Sequence, residues 1–157
     1  PRHILAREIE NYQKLIRENR ALGECDHADT PVIELKHVSH IIREARMEGN
    51  IVYGTVEVLD TPSGEIVKKL LKAGVKIGIS SRALGSVKKV RDHYVVQDDL
   101  QLICWDFVSD PSTPGAFMTP ITENKKYDLN KFYTKSDLIY RSANNLIYVA
   151  NSLKQKV

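Results

Sequence analysis

Long apolar runs are absent from this 157-residue chain, and with them any stretch able to cross a membrane as a helix. Cysteine is scarce: Cys25 and Cys104 are the only two. Neither stands in a CxxC pair or a Cys/His ligand spacing, so no zinc site is expected, and two thiols make no disulfide framework. They read as reduced thiols, and no cofactor or metal is implied. Charge of one sign is not concentrated either. The 23 Lys and Arg against 20 Asp and Glu leave a formal net charge of +3, spread along the chain, so a nucleic-acid partner is not demanded. Repeats and low-complexity tracts are missing, which excludes solenoids and coiled arrays. There is no Met before Pro1-Arg2-His3 and no signal peptide, so the start reads as trimmed.

What remains is ordinary globular composition, 42% hydrophobic and 27% charged, at a length suited to one domain over residues 1–157. Ile4, Leu5, Ile9, Tyr12, Leu15 and Ile16 recur at helical spacing, which predicts an amphipathic helix over 2–20 ended near Gly23. Period-two alternation from Glu34 to Leu59, broken by Glu48-Gly49-Asn50, predicts a β-hairpin. Thr61 and Pro62 open a second helix with Ile66, Val67, Leu70 and Leu71 as its buried stripe and Gly74 at its end. Strands are expected over 75–80, 93–97 and 100–108. The spacing of Leu138, Ile139, Leu146, Val149 and Leu153 predicts a C-terminal helix over 136–154, after an irregular polar stretch at 120–131. These elements add up to an α+β domain of mostly antiparallel strands, without the alternation of a doubly wound nucleotide fold.

Chemistry could sit at Gly78-Ile79-Ser80-Ser81-Arg82-Ala83-Leu84-Gly85-Ser86. A hydroxyl at a strand end, followed by free backbone N–H groups, is what a serine nucleophile and its oxyanion site need. The same residues also suit a Ser/Gly-rich turn or a phosphate-binding loop, and spacing alone favours the turn. A base would come from one of five histidines. His27 differs from the others in lying in a non-repetitive segment between Asp26 and Asp29. Asp106 is the one charge within Leu100–Val108, and a buried carboxylate there needs a partner. A histidine would supply one; so would Arg82 or Arg91, or simple solvation.

Three separated blocks carry a resemblance. They are Ala21-Leu22-Gly23-Glu24-Cys25-Asp26-His27, the Gly78–Ser86 block, and Leu100 to Pro111 around Asp106. In this order they resemble the prohead core proteases, the capsid maturation proteases of tailed myoviruses, which are similar in fold to herpesvirus assemblins. The resemblance covers most of residues 1–118. It implies an assemblin-like antiparallel β-barrel surrounded by helices, with Ser80 as nucleophile, His27 as general base and Asp106 as the group that holds the histidine. His93 is the alternative third member. Backbone N–H groups near Ser81 and Arg82, with the Arg82 side chain, would form the oxyanion and substrate site. The implied substrates are viral scaffold and capsid proteins inside the assembling procapsid in the host cytoplasm. Cleavage is expected after Glu, which would fit a basic specificity pocket, and self-processing and homo-oligomer formation are expected too. Membrane and specific nucleic acid are not expected partners. Three features depart from the family: Ala28 where Pro is common, Ala83 where Gly is common, and an upstream strand that is not present. The alternative is a non-catalytic capsid-assembly or scaffold domain on the same fold.

Overall fold

The computed structural model describes residues 1–121 and the backbone of 147–154. Helix α1 (Arg2–Arg17) buries Ile4, Glu8, Ile9 and Tyr12 along one face. Glu8 sits in that apolar stripe because it works as a clamp. Its carboxylate accepts the Leu102 backbone N–H at 2.9 Å and bonds from Arg7 and Asn11, so each carboxylate oxygen has a donor. The helix stops earlier than the apolar spacing predicts. Asn19, not Gly23, takes the left-handed conformation (φ 53°), and Arg20 N–H returns to the Leu15 carbonyl.

Gly23 lies instead in strand β1 (Leu22–Glu24). A Cβ there would overlap the His40 ring and the Trp105 carbonyl, so its glycine serves close approach. Strand β1 pairs with β2 (Val38–Glu48), which turns through Gly49-Asn50 into β3 (Ile51–Val58), the expected hairpin. Strict alternation fails in β2. Val38 to Ile42 are all buried, because both faces are covered, and the register shifts between Ile42 and Glu44.

Helix α2 (Pro62–Lys72) is capped as expected, with Thr61 Oγ1 accepting the Gly64 N–H at 3.0 Å, and Gly74 follows it at φ 82°. Its buried face is rotated from the one the sequence suggests. Gly64 presses on the Leu59 and Ser39 carbonyls, so Val67 and Lys68 point inward while Ile66 (55% exposed) and Leu70 (37%) face outward. Lys68 escapes burial of its charge by bonding Asp60 and Glu65.

Strand β4 (Gly78–Leu84) pairs antiparallel with β7 (Gln101–Val108), and between them runs the exposed hairpin of β5 (Val87–Val90) and β6 (His93–Val96). Strand β8 (Met118–Ile121) and β9 (Ile147–Lys154) complete a five-stranded sheet in the order β1-β2-β3-β9-β8. Residues 147–154 are therefore a strand, where the sequence suggests a helix. The apolar spacing there fits either period, and the backbone pairs β9 with β3 on one side and β8 on the other. The expected irregular stretch from 122 on, and the first part of that helix, lie outside the described residues.

Among the described residues the strands thus form three sheets, of five, two and two strands, and no closed barrel. Single bridges join the five-stranded sheet to the β4–β7 pair: Cys25 to Phe107 and Gly78 to Phe117. The shared core centres on Tyr12, Val56, Val67, Ile79, Trp105 and Phe107, with the Tyr12 and Trp105 rings edge-to-face at 4.7 Å.

Candidate active site

Strand pairing fixes two of the three candidate residues. Ser80 stands directly opposite Asp106 in the β4–β7 register, so both side chains project from the same face. The strand does not end at Ser80, as the sequence suggests; pairing continues to Leu84 opposite Gln101. Ser80 is 6% exposed, and its Oγ makes no hydrogen bond with a described residue. Nor is it one of the sealed, unpartnered polar atoms, which are Tyr12 Oη and Trp105 Nε1.

His27 is brought in by a loop. After β1 the chain crosses to β7, where Asp26 N–H bonds the Phe107 carbonyl at 2.7 Å. Asp26 takes φ 66°, and the turn this makes directs His27 back onto the sheet. His27 Nδ1 lies 2.8 Å from Asp106 Oδ2. Asp106 is wholly buried while the His27 side chain is 37% exposed, so the imidazole has one nitrogen on a fixed carboxylate and the other without a hydrogen bond among the described residues. No hydrogen bond joins Ser80 to His27 here. Such contacts are often long without substrate and tighten when it binds. His93 is placed elsewhere: it stands exposed on β6, outside this network.

Arg82 lies two residues beyond Ser80 on the same strand. Its guanidinium is spent inside the protein: Nε is 3.0 Å from Asp106 Oδ2, Nη2 2.5 Å from Glu24 Oε2, and Nη1 2.8 Å from the Thr30 carbonyl. Burial works against the cation, yet contacts with Cys104, Asp106 and Glu24 outweigh it and raise the Arg82 pKa. Cys104 is itself pushed up to about 12 by burial and by Asp106, so it is a neutral thiol and the two carboxylates carry the effect. The same shift makes Cys104 a poor nucleophile.

The Ser81 N–H is oriented differently. Ile79 N–H donates to Ala116, away from β7, while the Phe107 and Trp105 carbonyls also turn away from β4. Alternation along the strand then puts the Ser81 N–H on the edge of β4 opposite β7, beside the Ser80 side chain. Ala83 keeps a negative φ, so its place in a glycine-rich block brings no strain.

A cavity of about 470 Å³ opens beside His27. Glu24, Asp26, Asp29 and Glu34 line it together with His27 and His37, whereas Ser80 does not. Its acidic wall differs from the basic specificity pocket that cleavage after Glu would suggest.

Sequence reasoning passed over Glu24 and His40. Both are buried, and each follows or faces Gly23. His40 bonds Ser39 Oγ through Nδ1 at 2.8 Å and the Trp105 carbonyl through Nε2 at 2.9 Å. Burial pushes its pKa down to about 4, against the opposing pull of the Trp105 carbonyl and Asp106. The folded state therefore favours the neutral ring. Stability from this site is fully present above the unfolded value of about 6.5 and is lost as pH falls toward 4, by up to about 3 kcal/mol. Denaturant titrations at pH 7 and pH 4.5 should show this drop, and His40→Gln should flatten it. An unchanged pH slope in that variant would assign the drop to other groups.

A buried aspartate bonded to a half-exposed histidine, with a serine opposite it on the paired strand, brings together the three side-chain types that nucleophilic hydrolysis can use. Residues 1–126 match the prohead core protein serine proteases, and the chain belongs to that family. The prohead core protein protease of Enterobacteria phage T4 is 32% identical over 132 residues, which are 80% of this chain and 62% of that protein. The chain thus spans about 62% of the length of that curated relative. The solved structure of the bacteriophage T4 capsid assembly protease, gp21, matches with a TM-score of 0.66 at 26% identity, over 71% of each chain. The mixed, strand-rich fold is shared with it.

Proposed function

We propose that the chain is a single serine endopeptidase domain that cleaves scaffold and capsid proteins during procapsid maturation, inside the assembling particle in the host cytoplasm. The observation that carries this reading is the 2.8 Å contact between His27 and a buried Asp106 that stands opposite Ser80. Asp106 accepts from Nδ1, which leaves Nε2 with the lone pair that a general base requires. Ser80 Oγ attacks the scissile carbonyl as His27 takes its proton, and His27 then passes that proton to the leaving amine. The Ser81 N–H is the oxyanion donor that the strand geometry favours. Arg82 is engaged with Glu24, Asp106 and Thr30, which favours a structural role over direct contact with the oxyanion.

Family membership supports scaffold and capsid proteins as substrates; cleavage after Glu, self-processing and a homo-oligomer are further parts of the proposal. The acidic cavity beside His27 means that a pocket for Glu would have to lie elsewhere on the face. The bridges at Cys25–Phe107 and Gly78–Phe117 link the sheets end to end, which supports a barrel wrapped by α1 and α2.

A phosphonylating serine probe tests the assignment. Peptide mapping after labelling should place the adduct on Ser80, with labelling kept in Ser81→Ala and lost in His27→Ala. An adduct on Ser81, or proteolysis that continues with Ser80 fully modified, would overturn it.

A further inference from the structure

Resting on the protease reading, we propose that Glu24 and Arg82 are positioning residues: a buried carboxylate–guanidinium yoke that holds Asp106 and the His27 loop as one unit. Three segments distant in sequence meet at this pair, namely the end of β1, strand β4 and strand β7. Glu24 is 1% exposed and is used at both ends. Its backbone N–H donates to Asp106 Oδ1 at 2.9 Å, Oε2 receives Arg82, and Oε1 accepts the Glu34 N–H at 2.7 Å. Arg82 closes the figure by reaching the Thr30 carbonyl at 2.8 Å. The segment that carries His27 is therefore pinned at Glu24, at Thr30 and at Glu34. Its other ties among the described residues are the Cys25 N–H to the His37 carbonyl at 3.3 Å, the Asp26 N–H to the Phe107 carbonyl and the His27–Asp106 contact.

The yoke also settles a competition. Arg82 Nε and His27 Nδ1 both address Asp106 Oδ2, at 3.0 and 2.8 Å. Glu24 takes one arm of the guanidinium at 2.5 Å, so the cation is shared between two carboxylates and the histidine keeps its place on Asp106. A planar fork with five donors can serve Glu24, Asp106 and a carbonyl together; a lysine ammonium in its place could not span them. Glu24 makes no hydrogen bond with Ser80 or His27; it reaches the site only through Asp106 and Arg82, so its effect on the reaction passes through the support of the histidine.

Glu24→Gln keeps the volume and an acceptor for Glu34 but removes the charge and turns an amide toward Arg82. Cleavage of a defined scaffold peptide should show kcat lowered by about 10- to 100-fold with KM within about threefold, as loss of alignment at the reacting atoms predicts. Arg82→Lys, which keeps the cation, should give the same split. In the unmutated protein the Glu34 amide should exchange slowly with solvent hydrogen. Full kcat in both variants, a loss confined to KM, or fast exchange at Glu34 would overturn the proposal. Should Glu24→Gln fail to fold, Arg82→Lys and the exchange measurement still decide it. Ser80→Ala run in parallel separates the two ideas. Cleavage by that variant sinks the protease reading, while a dead Ser80→Ala beside a fully active Glu24→Gln sinks the yoke alone.

Discussion

Ser80→Ala is expected to lower cleavage of scaffold protein by a factor on the order of 10⁵ to 10⁶ while leaving the fold and its melting temperature nearly unchanged. The catalytic loss is large because nucleophile and base act as a unit: without the hydroxyl, His27 has no proton to take. The structural cost is small because Ser80 Oγ makes no hydrogen bond with a described residue, so its removal leaves no donor or acceptor stranded. Ser81→Ala provides the contrast. Its side chain is exposed and alternates to the other face of β4, so only its backbone N–H belongs to the site. That variant should keep its rate within about an order of magnitude, since the backbone donor survives the substitution. Steady-state cleavage and circular dichroism on both variants check the pair. Equal losses at the two positions would mean that register, not the Ser80 hydroxyl, matters.

Much of the frame was legible from local pattern. The α1 stripe, the β2–β3 hairpin and the Thr61-Pro62 cap are set by neighbours within a few residues, and each is present, although α1 stops at Arg17 and β2 departs from strict alternation. Misreadings occurred where a distant segment decides. Gly23 looked like a helix stop, but it is small because His40 and Trp105 pack on it from β2 and β7. The α2 face was misjudged because close contact of Gly64 with Leu59 and Ser39 sets the rotation of the helix. Strand β4 runs past Ser80 because β7 pairs with it, and residues 147–154 form a strand because β3 and β8 flank them.

The site divides in the same way. Periodicity could offer Ser80 only as a hydroxyl near a turn, with His27 as one of several histidines. The three blocks in order named Ser80, His27 and Asp106, and the structure puts Asp106 on His27 and opposite Ser80. Arg82 shows what no spacing reveals. A basic residue two positions from a nucleophile invites an oxyanion role, yet its donors go to Glu24, Asp106 and the Thr30 carbonyl. The available signal was Glu24: a carboxylate between Gly23 and Cys25, leading into the histidine loop, needs a buried cation, and Arg82 is the one that meets it.

Asp106→Asn should be the second most damaging change, and it should damage both rate and stability. As a carboxylate, Asp106 is an acceptor only, and its two oxygens receive Glu24 N–H, the Cys104 thiol, Arg82 and His27. An asparagine supplies one acceptor oxygen and one NH₂ group. If its oxygen takes the Oδ1 place, on the Glu24 N–H and Arg82 Nη2, its NH₂ takes the Oδ2 place against His27 and Arg82 Nε and selects the tautomer with the proton on Nε2, which cannot take one from Ser80. If it flips, the NH₂ meets the Arg82 guanidinium and leaves the Glu24 N–H unpaired. Either orientation should lower kcat by about 10³- to 10⁴-fold, the scale seen when the orienting aspartate of a serine triad is lost. Arg82, only 9% exposed, keeps Glu24 but loses a charged partner, so stability should fall by about 3–5 kcal/mol. Denaturant unfolding and single-turnover cleavage measure the two losses separately. A variant that kept wild-type stability while losing its rate would show that Glu24 alone satisfies Arg82. One that kept its rate would remove Asp106 from the triad.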